Sequence, residues 1–251
     1  MLLLASCGGG GGGSAAPAGS PAPPAPTTTV APDPYLSYIA TAKPTVTAVG
    51  IYATPQSPQP AQQLPNPWLV DPQVPTSKVA QVFLVQSQQD GWVQVLLPVR
   101  PNGSTGWVRA SDVDITQNTF HIVIALGAHT ITVTNHGQPI YQGPVAVGAT
   151  NPPLPDAGKP TPTPTGTYYL RVLIQAPDPT TVYGPYAYGL SSHSDALDTF
   201  EGGDAEIGIH GNNDPSVLGH DATHGCVRMD NAAITMLAKQ LPLGTPVDIV
   251  A

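Results

Sequence analysis

Twenty residues, His210 to Met229, hold three of the chain's seven histidines and one of its two cysteines. A thiol with a histidine nearby is a candidate nucleophile–base pair: the imidazole lowers the thiol's pKa and shuttles its proton. Gly225, immediately before Cys226, lets the backbone approach a substrate closely, and local N–H groups can point at a developing oxyanion. The stretch is rich in turn residues, as a site carried on a loop would be. Two other chemistries compete for the same residues. His210, His220, His224 and Cys226 make a conceivable zinc set, but their spacing fits no common zinc motif and leaves Gly225 unexplained. Asp204, Glu206, Asp214 and Asp221 suggest paired glycosidase carboxylates, a reading that leaves Cys226 without a purpose. On these residues alone the chain is a candidate cysteine enzyme that calls for no metal and no cofactor.

A more specific pattern lies in the order of the residues. His210-Gly211 followed by Thr223-His224-Gly225-Cys226-Val227-Arg228-Met229 resembles the signature of the L,D-transpeptidase catalytic domain. Ile207-Gly208-Ile209 ahead of the histidine, the turn and strand Thr163 to Tyr169, and the terminal Leu243-Gly244-Thr245-Pro246-Val247 are similar to that family as well. The resemblance implies Cys226 as nucleophile and His210 as its base. It also implies an oxyanion hole from the N–H groups of Gly225 and Cys226, and a Gly211 carbonyl that orients the His210 ring. The pocket would draw on Thr223, His224, Arg228, Asn212 and Tyr188. Arg228 would bind substrate or brace the loop; some relatives carry asparagine there. The implied partners are peptidoglycan stem peptides, donor and acceptor. Cys226 would attack the carbonyl of the third-position diamino acid, expel D-alanine, and pass the acyl group to the side-chain amine of a neighbouring stem. Carbapenems acylate the same cysteine in relatives, which makes this chain a carbapenem target by implication. With water as acceptor the same acyl-enzyme gives an L,D-carboxypeptidase, and sequence does not separate the two. A wall-binding lipoprotein with a degenerate catalytic domain is a third reading, opposed by the intact His210 and Cys226.

The elements that must position these residues are mainly strands. The 251 residues include 31 prolines and 26 glycines, and only 10% are charged. Eight Lys+Arg against 16 Asp+Glu leave no basic footprint for nucleic acid, which is excluded as a partner. Short alternating runs at 45–49, 79–85, 91–97 and 106–109, separated by turn-formers, predict a small β-barrel over 44–115 that resembles a bacterial Src-homology-3-like unit. Its Trp68, Trp92 and Trp107 either form a ligand face or, the commoner outcome, are mostly core. Residues 118–251 read as a β-sandwich-like catalytic domain with one or two short helices: strands at 120–125, 129–134, 141–148, 166–173 and 245–250, a proline-rich loop at 152–164, and a helix over 231–240. His121, His129, His136 and His193 read as structural or exposed. Residues 1–43 read as leader and tether, with Gly8 to Gly13 unbroken and Pro17 to Pro34 crowded with proline, alanine and threonine. Leu4-Ala5-Ser6-Cys7 resembles a lipobox with Cys7 as the lipidated residue, and the missing basic n-region implies a start further upstream. This predicts an extracytoplasmic protein, lipid-anchored at the outer face of the cytoplasmic membrane. A Cys7–Cys226 disulfide is set aside, because each cysteine has a better single explanation. Oligomeric state is not legible.

Overall fold

Alternating side chains determine how the strands stack. The computed structural model describes residues 33–70 and 76–251. Cys7 and the rest of 1–32 therefore lie outside the described residues. In the first region five strands lie in the order Thr105–Arg109, Trp92–Leu96, Val82–Gln89, Ser37–Ala42 and Val113–Asn118, each pair antiparallel. Ala40, Ala42, Phe83, Val93, Val95 and Val108 point to one face and close a core with Val49 and Ile51 of an accompanying hairpin. Val82, Leu84 and Leu96, one residue out of phase, point to the other face.

Two expectations need correction in this region. The folded chain begins before residue 44: Ser37–Ala42 is a central strand, paired along its whole length with Val113–Asn118. Its short alternation was hidden among the alanines and threonines of the leader. The tryptophans are not mostly core either, since all three are half-buried. Trp92 stacks edge-on against Tyr52 at 4.9 Å under the Arg109 guanidinium, and Trp68 lies beneath that of Arg171 at 3.8 Å.

The second region is one curled sheet of eight strands. Their order is Gln138–Pro144, Thr130–Asn135, Phe120–Ala125, Pro246–Val250, Gly166–Gln175, Tyr186–His193, Glu206–His210 and Val227–Arg228. The last strand of the chain inserts in the middle, parallel to Phe120–Ala125 and antiparallel to Gly166–Gln175. The described residues contain a single α-helix, Asn231–Leu237, capped by the Asp230 carboxylate, which accepts from Ala233 N–H at 2.9 Å. It buries Ala233, Ile234 and Leu237 against Ile207, Ile209, Tyr188 and Met229 of the sheet's core. The helix ends three residues short of the expected Gln240, and 238–240 continue as a hydrogen-bonded turn. The strand Tyr186–His193 was not anticipated. Its Gly189, Ser191 and Ser192 mask the pattern, yet Tyr188 and Leu190 to His193 are all buried.

The middle of Gly166–Gln175 is covered on both faces. Tyr168 and Leu170 enter the main core, whereas Tyr169 points the other way into Val82, Leu84 and Leu96 of the first region. Five consecutive residues, Tyr168 to Val172, are buried, as in a strand covered on both sides.

Candidate active site

Cys226 stands on a short loop between Asp221–Thr223 and Val227–Arg228, and three threonines hold that loop. Thr223 Oγ1 donates to the Cys226 carbonyl at 2.6 Å and accepts from Gly225 N–H at 3.1 Å. From the proline-rich loop, Thr163 Oγ1 donates to the Gly225 carbonyl at 2.8 Å and accepts from Gly148 N–H at 2.9 Å. Thr161 Oγ1 donates to the Thr223 carbonyl at 3.2 Å. Gly225 has φ +126°, and a Cβ there would stand 3.0 Å from Ile207 Cδ1, so the turn before the nucleophile admits only glycine.

The histidine arrives by strand pairing. Val227–Arg228 runs parallel to the end of Glu206–His210, with Ile209 opposite Val227 and His210 opposite Arg228. The His210 ring is buried, and its Nδ1–H donates to the Gly211 carbonyl at 2.7 Å, so that in the neutral ring the lone pair sits on Nε2. Gly208, two residues before it, donates its N–H to Cys226 Sγ at 3.3 Å. A Cβ on Gly208 would lie 3.9 Å from both Cys226 Sγ and His210 Cδ2, so thiol and imidazole flank the side-chain-free face of this glycine. Tyr183 leans over the histidine, ring centroids 5.0 Å apart, and donates its hydroxyl to Glu201 at 2.5 Å.

At the thiol, burial rather than the neighbouring imidazole is the largest influence. Burial first of all pushes the Cys226 thiol above its ordinary value; the Gly208 N–H and the Arg228 guanidinium pull it down, and Glu201 adds to the rise. Burial likewise lowers His210 to about 4, against the Gly211 and Val182 carbonyls that favour its protonation; the Arg228 charge lowers it further. Desolvation outweighs the partners on both groups, and the pair rests as neutral thiol and neutral imidazole.

The remaining site residues fall into two groups. His224 reaches the site: its Nε2 lies 3.2 Å from Asp156 Oδ1 and its ring packs on Phe200 at 5.2 Å. With Ser194, Leu197, Phe200 and Cys226 it lines a small cavity of about 20 Å³ beside the thiol. Arg228 is half-buried, has a buried Nε without a partner, and forms no ion pair among the described residues. Thr223 shapes the loop from beneath. Asn212 acts from behind: its Nδ2 donates to the Met229 carbonyl at 2.7 Å, and its backbone exchanges two 2.8 Å bonds with the Asn231 amide.

Two assignments are corrected. Tyr188 is not a pocket residue; it is buried in the core with its hydroxyl on the Leu237 and Leu241 carbonyls. Gly225 N–H is not a free oxyanion donor, because Thr223 Oγ1 already accepts it. Among the described residues the N–H groups of Cys226 and His224 are the ones at this turn without an acceptor. Sequence reasoning missed Tyr183, Phe200 and Glu201. They come from two loops remote in sequence, and no local motif marks them. His220 is exposed.

Comparison with known proteins places the second region in a family. The family model described as YkuD, L,D-transpeptidase catalytic domain, matches residues 119–249. A Bacillus subtilis (strain 168) protein named as an L,D-transpeptidase, YkuD, is 31% identical over 130 residues, which are 52% of this chain and 65% of that protein. The chain thus spans a little under two thirds of that relative. Its Bacillus licheniformis namesake is 28% identical over 163 residues, 62% of this chain and 85% of its own. Among solved structures, L,D-transpeptidase 3 from Mycobacterium tuberculosis in complex with a faropenem-derived adduct is similar at 15% identity and a TM-score of 0.42, covering 61% of this chain and 76% of that one.

Proposed function

The chain belongs to the L,D-transpeptidase catalytic-domain family, and from that premise we propose that it is an L,D-transpeptidase in which Cys226 and His210 carry out acyl transfer between peptidoglycan stem peptides. The observation that supports the pair most directly is the pinned His210 ring. With Nδ1–H held by the Gly211 carbonyl, Nε2 is left to take the thiol proton. The resting neutral pair makes the proton transfer part of the attack. Nε2 accepts the proton as Sγ bonds to the carbonyl carbon of the third-position diamino acid, and the carbonyl oxygen becomes an oxyanion facing the Cys226 N–H, with that of His224 as the second donor. Collapse breaks the bond to the D-alanine nitrogen, which leaves with the proton from His210. The thioester then meets the side-chain amine of a neighbouring stem. His210 takes a proton from that amine, the new amide forms, and the proton returns to the departing thiolate. Arg228, a half-buried cation with no carboxylate partner among the described residues, suits a substrate carboxylate.

The test is product analysis. Wild-type protein given a disaccharide-tetrapeptide should yield cross-linked dimer and free D-alanine by mass spectrometry; tripeptide alone would make it a carboxypeptidase. Turnover surviving in Cys226→Ala would remove the mechanism. A carbapenem should add its mass at Cys226, and an unmodified protein would argue against the target reading.

Two further parts of the proposal lie outside the catalytic region. Lipidation at Cys7 would hold the protein at the outer face of the cytoplasmic membrane; a full-length Cys7→Ala protein should leave the membrane fraction, and unchanged partitioning would end that idea. The first region would be a Src-homology-3-like unit whose Trp92 and Trp107 meet wall fragments. Tryptophan emission unaltered by soluble wall fragments would speak against it.

A further inference from the structure

The wall of the pocket beside Cys226 is a loop with little core of its own. Residues 194–205 leave the sheet at His193 and return at Ala205, closed at the base by Ser194 N–H on the Ala205 carbonyl at 2.9 Å. Leu197 and Phe200 from this loop line the cavity beside the thiol, Phe200 meets His224, and Glu201 takes the Tyr183 hydroxyl. Asp195, Asp198, Thr199 and residues 201–204 are exposed. Glu201 and Ala205 hold φ of +47° and +48°, left-handed conformations that a side chain adopts only when its surroundings enforce them.

The second region holds the loop through Lys159 Nζ on the Ala196 carbonyl at 2.5 Å and His193 Nε2 against the Asp204 carboxylate at 3.1 Å, and the first region adds a larger set of bonds. The turn between Trp92–Leu96 and Thr105–Arg109 presents Arg100 and Asn102. Arg100 Nη1 donates to the Asp204 carbonyl at 3.1 Å and to its carboxylate at 3.0 Å; Nη2 donates to the carbonyls of Leu197 at 2.9 Å and Ser194 at 3.3 Å. One guanidinium therefore joins the start, middle and end of the loop, using the rigid fork that only arginine has. Asn102 pairs with the His193 backbone in both directions, Nδ2 to the carbonyl at 2.7 Å and Oδ1 from the N–H at 2.9 Å, and reaches the Asp195 carboxylate at 3.1 Å.

We propose that Arg100 and Asn102 are positioning residues for the reaction: from outside the catalytic region they set the 194–205 loop as the substrate-pocket wall beside Cys226. This rests on the reading of Cys226 as nucleophile, because the loop matters to turnover only if chemistry happens at that thiol. The first region is then part of the active site's construction.

The experiment uses the full chain with Arg100→Ala, Arg100→Lys and Asn102→Ala. Hydrogen exchange read by mass spectrometry should quicken by about tenfold in 194–205 for Arg100→Ala and stay unchanged in 231–237. The KM for the disaccharide-tetrapeptide should rise by about tenfold with a smaller fall in kcat, since substrate contacts loosen while the thiol and its base are untouched. Arg100→Lys should recover only part of this, because an ammonium cannot span three separated carbonyls, and Asn102→Ala should move both readouts in the same direction. An unchanged KM with quickened exchange would overturn the proposal, as would unchanged exchange. A wild type with no turnover would count against the reading of Cys226, and exchange would still report whether Arg100 restrains the loop.

Discussion

At the scale of residues, burial drives Cys226 and His210 towards neutrality from opposite directions, and this fixes how the site should titrate. The thiol lies above its ordinary value. Alkylation of Cys226 by iodoacetamide should therefore be slow at pH 7 and still climbing at pH 9; a plateau reached by pH 7 would point to a preformed thiolate instead. The acid limb of kcat/KM in the free enzyme should fall near 4, where His210 is placed, and a limb at the ordinary histidine value near 6.5 would contradict a desolvated base. The same depression has a stability consequence. An unfolded histidine binds a proton below about 6.5, whereas folded His210 refuses it until about 4. Its contribution to stability is fully present above the unfolded value and is lost as pH falls across that window, by about 3 kcal/mol. His193, also lowered by burial, adds in the same direction. His210→Gln should flatten the decline of Tm between pH 6.5 and 4, and an equally steep decline would show that the ring's burial is not its cause.

At the scale of elements, the nucleophile loop depends on the proline-rich segment beneath it. Thr161 and Thr163 alternate with prolines, so both hydroxyls point the same way, under the turn. Thr163→Val keeps the shape but strands the buried Gly225 carbonyl and Gly148 N–H, at about 1–3 kcal/mol for each group left unpaired. Thermal unfolding should show that loss, and kcat should drop with it because the turn carrying Cys226 is no longer fixed; a variant with wild-type Tm would refute the account. This arrangement also shows what was legible in the sequence. Histidine, cysteine and the glycine between the strands and the thiol are local signals, and the alternating strands of both sheets could be read from period two. The Tyr186–His193 strand could not, because its buried serines and glycine carry no apolar alternation. Nor could the use of Gly225 N–H by Thr223, or the meeting of Tyr183 with Glu201, since each depends on how a loop closes. Tyr188 was misplaced because an aromatic near a site motif reads the same whether it faces the pocket or the core.

At the scale of the molecule, the two sheets share a buried seam, and the seam decides whether they unfold together. Val82, Leu84 and Leu96 of the first region close on Tyr169 of the second, and beside them Arg171 pairs with Glu206 and stacks on the Trp68 ring. Tyr169 is fully buried with no partner for its hydroxyl among the described residues, and burial, ahead of the neighbouring charges, holds that phenol far above its ordinary pKa. A buried hydroxyl that bonds to nothing has lost its water without replacement. Tyr169→Phe deletes that loss and keeps the ring, so its Tm should equal or exceed the wild type's; a fall of several degrees would mean that the hydroxyl has a partner after all. Leu84→Ala, on the opposite side of the seam, removes packing and should cost about 2–5 kcal/mol. Because the seam joins both cores, that cost should appear as one transition shifted to lower temperature when followed by calorimetry. Two separated transitions would mean that the regions fold independently, and a first region free to unfold alone could not act as a fixed support for the pocket wall.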